Sequence, residues 1–371
     1  MPRITTLLSV LILAGVACGA PTPIAPLPTP ERSAFTSDGT AFGFFPSPPR
    51  VSLESVLAHF ADLGKHADLV LLQQNIPWQA FPLESDSEPQ ALIDIRNQVI
   101  LARQNHLDTV FVVDPLNGLN RREFSGLPTG WEASFQNPKV RAAYRDFTLW
   151  IVRTFQPSHL GLASEINTYA DAEPEDFPNF VSLYRETYAA VKALAPETQV
   201  FVTFQWEDLN NLIPAAAEGR PAYQVNWEQV EAFEPDLDLW VISSYPFVAF
   251  AHAADLPDDY YTRLLKRTDK PLAVAEGGYT ASPVGLFSGE PEDQVGYLQT
   301  IDRQIGSRLS FWVYLLLTDF DLDSYARYMR QSGVKEQDVD TLGLFASVGL
   351  QNADGSPKPA LAVWDALRET R

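Results

Sequence analysis

Two short stretches of the sequence, Leu-Gly-Leu-Ala-Ser-Glu-Ile-Asn at Leu160–Asn167 and Leu-Ala-Val-Ala-Glu-Gly-Gly-Tyr at Leu272–Tyr279, predict the fold. Each is a run of small and apolar residues that delivers a glutamate near its end, Glu165 in the first and Glu276 in the second. Continuous apolar runs of this length are typical of strands buried on both faces of a parallel sheet. The stretches therefore predict two buried strands, each with a carboxylate at its carboxyl end.

The rest of the chain repeats this alternation of short apolar runs with segments of helical spacing. We predict eight strands, at residues 41–45, 68–74, 109–114, 159–164, 199–204, 239–244, 272–276 and 309–314. The predicted helices lie at 52–64, 89–106, 138–155, 177–195, 227–233, 257–266, 291–305 and 359–368. Eight such units predict a single-domain α/β fold, the (β/α)8 or TIM barrel. An open doubly wound sheet is the alternative, but no Gly-x-Gly-x-x-Gly motif follows the first strand.

The first 37 residues predict export rather than fold. Arg3 precedes an apolar segment, Leu7–Val16, that is too short to span a bilayer as a helix. The segment leads into Gly-Val-Ala-Cys, which resembles a bacterial lipobox, and its Cys18 is the only cysteine. We predict a lipoprotein-type signal peptide at 1–17, a Cys18 anchor with a Pro-rich linker at 18–37, and the barrel at 38–371. The alternative is a cleaved secretory signal with an incidental cysteine.

Charge and composition narrow the class of ligand. The formal net charge of −20 argues against nucleic acid or anionic lipid as a partner, so membrane contact is expected only through Cys18. The sequence contains no Gly-x-Ser-x-Gly motif, and its five histidines have no metal-ligand spacing. The acidic run at 319–323 lacks the glycine and glutamate that an EF-hand loop requires. We therefore predict no metal and no cofactor.

The paired glutamates predict the chemistry. Active sites of TIM barrels lie at the carboxyl ends of the strands, where Glu165 follows the fourth strand and Glu276 ends the seventh. Two carboxyl groups about 5 Å apart are the arrangement of a retaining glycosidase. One of them protonates the leaving oxygen, and the other, ionised, attacks the anomeric carbon.

The strand order and the two glutamates resemble glycoside hydrolase clan A over residues 40–371. The resemblance implies hydrolysis of a β-linked poly- or oligosaccharide with retention, with Glu165 as acid/base and Glu276 as nucleophile. Tyr245 matches the tyrosine that hydrogen-bonds the nucleophile, and Trp312 matches the aromatic floor of the sugar site. The segment Asp-Gly-Ser-Pro-Lys-Pro before the last helix also resembles these enzymes.

Two departures from the clan pattern concern substrate binding. Most members have Asn immediately before the acid/base, where this chain has Ser164, and Asn167 is the candidate to compensate. The arginine that many members carry on the second strand is missing, and the tip of that strand offers Gln73, Gln74 and Asn75. Further candidates are Trp78 and Trp206, as sugar platforms or loop packing, and Asp114, as a sugar ligand or a turn cap.

These departures leave two alternatives open. The first is a non-catalytic carbohydrate-binding surface lipoprotein on a degenerate barrel, which Ser164 favours. The second is a scaffold or interaction protein that uses its acidic exterior. In each case we expect a monomer at the cell surface or in the periplasm.

Overall fold

The structure is a computed structural model that describes residues 35, 39–82, 88–118, 120–213, 219–334 and 336–371. The predicted signal peptide, the Cys18 anchor and nearly all of the linker lie outside the described residues, so these three assignments stay predictions. None of the helices in the described ranges is long and apolar enough to cross a membrane.

A parallel sheet forms the centre of the molecule and confirms the predicted barrel. Its strands are β1 (Ala41–Phe44), β2 (Leu69–Asn75), β3 (Asp108–Asp114), β6 (His159–Gly161), β7 (Gln199–Phe201), β8 (Thr203–Gln205), β9 (Trp240–Ser244), β10 (Leu272–Gly277) and β11 (Leu309–Tyr314). The order is β7-β6-β3-β2-β1-β11-β10-β9-β8. Because β7 and β8 are two halves of one strand separated only by Val202, the sheet closes on itself as eight strands.

Helices surround the barrel, as its alternating pattern predicts. They are α1 (Leu53–His66), α2 (Gln90–Gln104), α3 (Pro138–Phe155), α4 (Ile166–Ala172), α5 (Phe177–Leu194), α6 (Trp206–Leu209), α7 (Trp227–Glu231), α8 (Thr262–Leu265), α9 (Pro291–Ile305), α10 (Leu322–Gln331), α11 (Glu336–Leu342) and α12 (Pro359–Thr370). Ser52 caps α1, because its side chain accepts a hydrogen bond from the Ser55 amide. The sixth helical segment is shorter than predicted, since the chain turns between Pro257 and Tyr260 before α8 begins.

An antiparallel hairpin of β4 (Leu116–Asn117) and β5 (Asn120–Phe124) follows β3, outside the barrel sheet. It was not predicted as strand. The sequence signal for it is Asn117-Gly118, a pair that favours tight hairpin turns.

The two faces of each strand have different partners. On β11, Phe311 points into the barrel, where its ring lies 5.3 Å from His159 of β6 and 6.5 Å from Phe35. Trp312 points outward and lies 5.5 Å from the ring of Trp364 on α12. Burial lowers the pKa of His159 to about 4, so this ring is neutral at pH 7 and packs as part of the core.

A glycine gives the barrel interior room at β6. A methyl group at Gly161 would lie 2.8 Å from the ring of Phe201 and 2.9 Å from a methyl of Val112. Glycine at this position therefore lets the side chains of the two neighbouring strands meet. The same strand leads directly to Glu165.

We expect Gly161→Ala to lower the free energy of unfolding by about 1–3 kcal/mol, because the added methyl overpacks the interior. Gly343→Ala is the matched control, since a methyl there would meet no atom within 4 Å. Urea denaturation followed by tryptophan fluorescence measures both. Equal stability of the two variants would contradict the close packing described at β6.

Candidate functional site

Barrel closure brings Glu165 and Glu276 to the same end of the molecule, at the carboxyl ends of β6 and β10. Glu165 has no exposed surface, and Glu276 is 2% exposed. The negative charge of Glu165 raises the pKa of Glu276, so the two carboxyl groups are electrostatic neighbours. The two carboxyl groups are therefore near one another at this end of the barrel, and solvent does not reach either of them freely.

The backbone at Glu165 is strained and firmly held. Its φ of 48° is in the left-handed region, which costs a residue with a side chain about 1–2 kcal/mol. The Glu165 amide donates to Oγ1 of Thr203 at 2.7 Å, and its carbonyl accepts from Oγ1 of Thr168 at 2.8 Å. Strain of this kind persists where neighbouring groups fix the residue, and it is common at functional sites.

Two donors hold the carboxylate of Glu165. Ser243 of β9 donates to Oε1 at 2.5 Å, and Nε of Arg121 donates to Oε2 at 3.2 Å. Arg121 comes from the hairpin strand β5, is completely buried, and also forms an ion pair with Asp114 at the end of β3. Glu165, which follows β6, is thus held by hydrogen bonds from Ser243 of β9 and from Arg121 of the hairpin that follows β3.

One donor holds the carboxylate of Glu276. The hydroxyl of Tyr245 donates to Oε1 at 2.7 Å, which is the contact that the clan resemblance implies. Oε2 of Glu276 is buried and has no hydrogen-bond partner among the described residues. Tyr245 is itself held by a third buried carboxylate, because its amide donates to Oε2 of Glu207 at 2.9 Å. Oε1 of Glu207 accepts from Ser244 and Tyr260.

Burial and charge set the proton distribution in this pair. Burial and then the charge of Glu165 raise the pKa of Glu276 well above its usual range. Burial also raises the pKa of Glu165, but only to about 6, because Arg121 and Ser243 stabilise its ionised form. The contacts with Arg121 and Ser243 therefore favour the ionised form of Glu165 more than the contact with Tyr245 favours that of Glu276.

The polar residues that were predicted to bind sugar have protein partners in this structure. Both polar atoms of Asn167 bond to the main chain of Gln205, and its Nδ2 also donates to Asp208. Nδ2 of Asn75 donates to the carbonyl groups of Asp114 and Leu116. These amides therefore brace the ends of neighbouring strands, which differs from their predicted role as sugar ligands.

Ser164 and Asp114 are also engaged within the protein. Oγ of Ser164 lies 3.3 Å from Oγ1 of Thr203, which also binds the Glu165 amide. Asp114 accepts from the amide of Leu116 and pairs with Arg121, so it is a turn cap and an ion-pair partner. Of the two roles predicted for Asp114, sugar ligand and turn cap, the structure shows the turn cap.

The three tryptophans that were candidates for the sugar site are buried, and Trp78 and Trp206 take the packing alternative that was predicted for them. Trp312 faces α12 on the outside of the barrel, because residues alternate sides along a strand, and its ring packs against Trp364 in this structure. Trp206 packs against Trp227, with the ring centroids 6.1 Å apart. Trp78 donates from Nε1 to the Ser125 carbonyl at 2.6 Å. All three act as packing residues here.

Four residues of the site escaped prediction: Arg121, Thr203, Glu207 and Ser243. The Ser243 hydroxyl could have been found, since it lies two residues before Tyr245 and strands alternate faces. Arg121 follows the Asn-Gly turn signal by a few residues. It pairs with Asp114 only because the hairpin folds the chain back, and the sequence does not show this contact. No pattern in the sequence marks Glu207.

One cluster outside the site has the composition of a metal site. His252, Glu290 and Asp293 have ligand atoms within 4.8 Å of one another. Their hydrogen bonds explain the grouping without an ion, because Asp293 accepts from the amides of Ala253 and Glu290 at the start of α9. The acidic run at 319–323 is likewise engaged, with Asp319 paired to Lys358.

We expect Thr203→Val to destabilise the protein by about 1–3 kcal/mol, because it leaves the buried Glu165 amide without an acceptor. Thr187→Val makes the same change at a buried hydroxyl that has no hydrogen-bond partner in the part of the chain that the structure describes, so it should be neutral or stabilising. Thermal unfolding by calorimetry compares the two. A Thr203→Val protein as stable as Thr187→Val would contradict the account of how Glu165 is held.

No protein-family model matches the chain, and no curated protein is similar to it in sequence. Solved structures are similar in fold. An exo-β-1,4-mannosidase from Opitutaceae bacterium strain TAV5 superimposes with a TM-score of 0.61 and 13% identity, over 92% of this chain and 62% of that one. This chain therefore spans less than two thirds of the mannosidase.

Two further structures give the same result. A glycoside hydrolase family 5 protein from Bifidobacterium longum, in complex with Manβ1-4GlcNAc, has a TM-score of 0.62 and 15% identity over 89% of this chain and 78% of its own. Fungal β-1,4-galactanase has a TM-score of 0.53 and 15% identity over 88% of this chain and 94% of its own. At such identities the similarity concerns the fold alone, a (β/α)8 barrel that this chain shares with these glycoside hydrolases.

Proposed function

We propose that this protein is a glycoside hydrolase that cleaves a β-linked glycan with retention of configuration. The observation that carries the proposal is the buried pair Glu165 and Glu276 at the ends of β6 and β10, with Tyr245 bound to Glu276. The fold supports it, because structural neighbours include an exo-β-1,4-mannosidase, a protein in complex with Manβ1-4GlcNAc and β-1,4-galactanases.

Glu165 and Glu276 divide the chemistry between them in this proposal. Glu165 donates its proton to the glycosidic oxygen as the bond to the anomeric carbon breaks, and Glu276 attacks that carbon to form a glycosyl ester. Glu165 then takes a proton from water, which attacks the same carbon and releases Glu276. Since Tyr245 holds Oε1 of Glu276, the oxygen available for attack is Oε2, which has no hydrogen-bond partner within the described ranges.

This mechanism needs the proton on Glu165 and the ionised form of Glu276. A bound glycan favours this state. Its glycosidic oxygen accepts a hydrogen bond from protonated Glu165, and the positive charge that develops at the anomeric carbon favours ionised Glu276. Substrate must also gain access, because neither carboxylate is open to solvent in the structure.

The remaining proposals concern location and partners. A signal peptide, a lipid at Cys18 and a Pro-rich linker would place a monomeric catalytic barrel at the cell surface or in the periplasm. The partner is an oligo- or polysaccharide. No metal or cofactor takes part in the proposed steps.

A non-catalytic carbohydrate-binding lipoprotein is the second candidate. The burial of both carboxylates and the presence of Ser164 in place of Asn favour it. A glycan array combined with a reducing-end assay separates the candidates. Binding of a β-glycan without release of new reducing ends would select the binding protein.

We expect Glu165→Gln and Glu276→Gln each to lower kcat/KM on the responsive β-glycan by about 10²- to 10⁴-fold, because each removes one proton-transfer or nucleophilic group. Glu228→Gln makes the same change at an exposed glutamate on α7 and should leave the rate unchanged. A panel of neutral β-glycans, followed by reducing-end release, identifies the substrate first. Unchanged hydrolysis by both active-site variants would contradict the mechanism.

Stereochemistry gives an independent check on the same pair. With Glu276→Ala and added azide, the azide should attack from the side that Glu276 occupied and yield a glycosyl azide of inverted configuration. The wild-type protein should release a product of retained configuration, measured by proton NMR at early times. An inverted wild-type product would exclude Glu276 as the nucleophile.

We expect kcat/KM to fall as the pH drops below about 6. Burial raises the pKa of both glutamates, that of Glu165 to about 6 and that of Glu276 well above its usual value, so the pair holds two protons below that pH. No ionised carboxylate then remains to attack the anomeric carbon, so the rate falls about tenfold for each further pH unit. The pH–rate profile on the responsive glycan measures this limb. Full activity at pH 4 would contradict the assignment.

A further inference from the structure

Arg121 is a buried cation beside the two glutamates, and part of its guanidinium has no partner. Nε donates to Oε2 of Glu165 at 3.2 Å, and Nη1 donates to Oδ2 of Asp114. The side chain has no exposed surface. Nη2 is buried as well, and it has no hydrogen-bond partner within the described ranges. Because an unpaired buried donor on a charged group is costly, a ligand that supplies an acceptor to Nη2 would offset this cost.

The free donor of Arg121 is not arranged for a carboxylate. Carboxylates bind arginine most strongly through two parallel N–H bonds from neighbouring nitrogens. A guanidinium offers two such pairs of nitrogens, Nε with Nη2 and Nη1 with Nη2. In Arg121 one nitrogen of each pair already donates, Nε to Glu165 and Nη1 to Asp114. The arrangement therefore suits a single oxygen atom at Nη2 better than a bidentate carboxylate.

An unpaired acceptor accompanies this donor. Oε2 of Glu276 is buried and lacks a hydrogen-bond partner in the part of the chain that the structure describes. The charge of Glu276 acts on Arg121, so the two side chains are neighbours. A ligand that fits both must offer an acceptor to Nη2 without bringing negative charge to Oε2. A sugar hydroxyl meets both conditions because it is neutral and both donates and accepts, whereas a carboxylate meets only the first.

The charges around the pair also oppose an acidic ligand. Among the described groups that act most strongly on either glutamate, Arg121 is the only cation, and Asp114 is a further acid. Although burial lowers the pKa of Arg121, the neighbouring carboxylates raise it above its usual value, so the guanidinium is charged. If the glutamate pair holds one proton, on either residue, the other glutamate and Asp114 still set two negative charges against one positive charge. A uronic acid would add a third negative charge where solvent screens little.

We propose that the site takes a neutral sugar and rejects uronic acids, and that Nη2 of Arg121 binds one hydroxyl of that sugar. The inference rests on the proposed function, because it names the class of glycan that reaches Glu165 and Glu276. Arg121 is a substrate-binding residue in this scheme and takes no part in bond making. The hairpin of β4 and β5, which carries Arg121, thereby contributes to substrate specificity.

Matched substrates test the charge preference on the wild-type protein. The probes are three pairs of β-1,4-linked tetrasaccharides, of glucose, mannose or galactose, each paired with the tetrauronate that differs only by oxidation at C6. We expect kcat/KM for the neutral member of a cleaved pair to exceed that for its uronate by at least about 100-fold, because like charges in a buried site repel. A uronate cleaved as fast as its neutral partner would overturn the proposal.

Monodeoxy analogues of the cleaved tetrasaccharide identify the hydroxyl that Nη2 binds. One analogue should lose about 10- to 100-fold in kcat/KM with the wild type, the range for a hydrogen bond to a charged group. Arg121→Lys keeps the charge but removes Nη2, so it should lose a similar factor on the parent and little more on that analogue. Arg185→Lys makes the same change at an exposed arginine on α5 and should leave both rates unchanged. Equal losses of Arg121→Lys on the parent and on every analogue would indicate a structural role and overturn the assignment.

A binding measurement separates failure of this inference from failure of the proposed function. Saturation-transfer NMR with the same tetrasaccharide pairs needs no hydrolysis. If the wild type cleaves none of them but binds a neutral member and not its uronate, the inference stands and the hydrolase assignment fails. Preferential binding of a uronate would overturn the inference, and binding of none of the probes would overturn both. If Arg121→Lys does not fold, the preference within each pair still decides, because the wild type alone reports it.

Discussion

The site depends on the closure of the sheet through a single strand. Residues 199–205 pair with β6 through their first half and with β9 through their second half, so the chain that starts one edge of the sheet also ends the other. Parallel strands in a closed barrel all end on the same face. Closure therefore places Glu165, Ser243 and Glu276 together, although they are far apart in the chain.

Desolvation is the cost of this arrangement. Each of the buried carboxylates would be neutral without donors, because burial raises the pKa of an acid. The protein offsets the cost unequally. Among the residues that the structure describes, Glu165 has an arginine and a serine, Glu276 has one tyrosine hydroxyl, and Glu207 has hydroxyl and amide donors without a cation. This inequality gives two carboxyl groups of the same kind different environments, which is what acid–base chemistry requires.

The pattern of the sequence predicted the barrel well, and the reason is local. Apolar runs buried on both faces and helices with one apolar stripe are visible in short windows, so all eight strands and most helices were found near their true limits. Glu165 and Glu276 were found because each directly follows such a run. The hairpin was missed because β4 and β5 together contain only seven residues, of which several are polar.

Side-chain direction was the less reliable part of the prediction. Trp312 was placed in the site by resemblance, but a shift of one residue along a strand moves a side chain to the other face, and this ring meets Trp364 outside the barrel. Asn75 and Asn167 stand at the correct end of the barrel, yet their amides are used to join strands. A residue type and a strand end do not reveal which neighbour will take the hydrogen bond.

The sequence by itself determined the fold class, the order of the strands and the two glutamates at their ends, because these follow from periodicity along the chain. Only the tertiary structure decided how those glutamates are held. Arg121 lies between Asp114 and Glu165, and Ser243 lies against Glu165, through contacts between separate elements. Burial and the position of one cation set the electrostatics of the pair, and neither quantity is local in sequence.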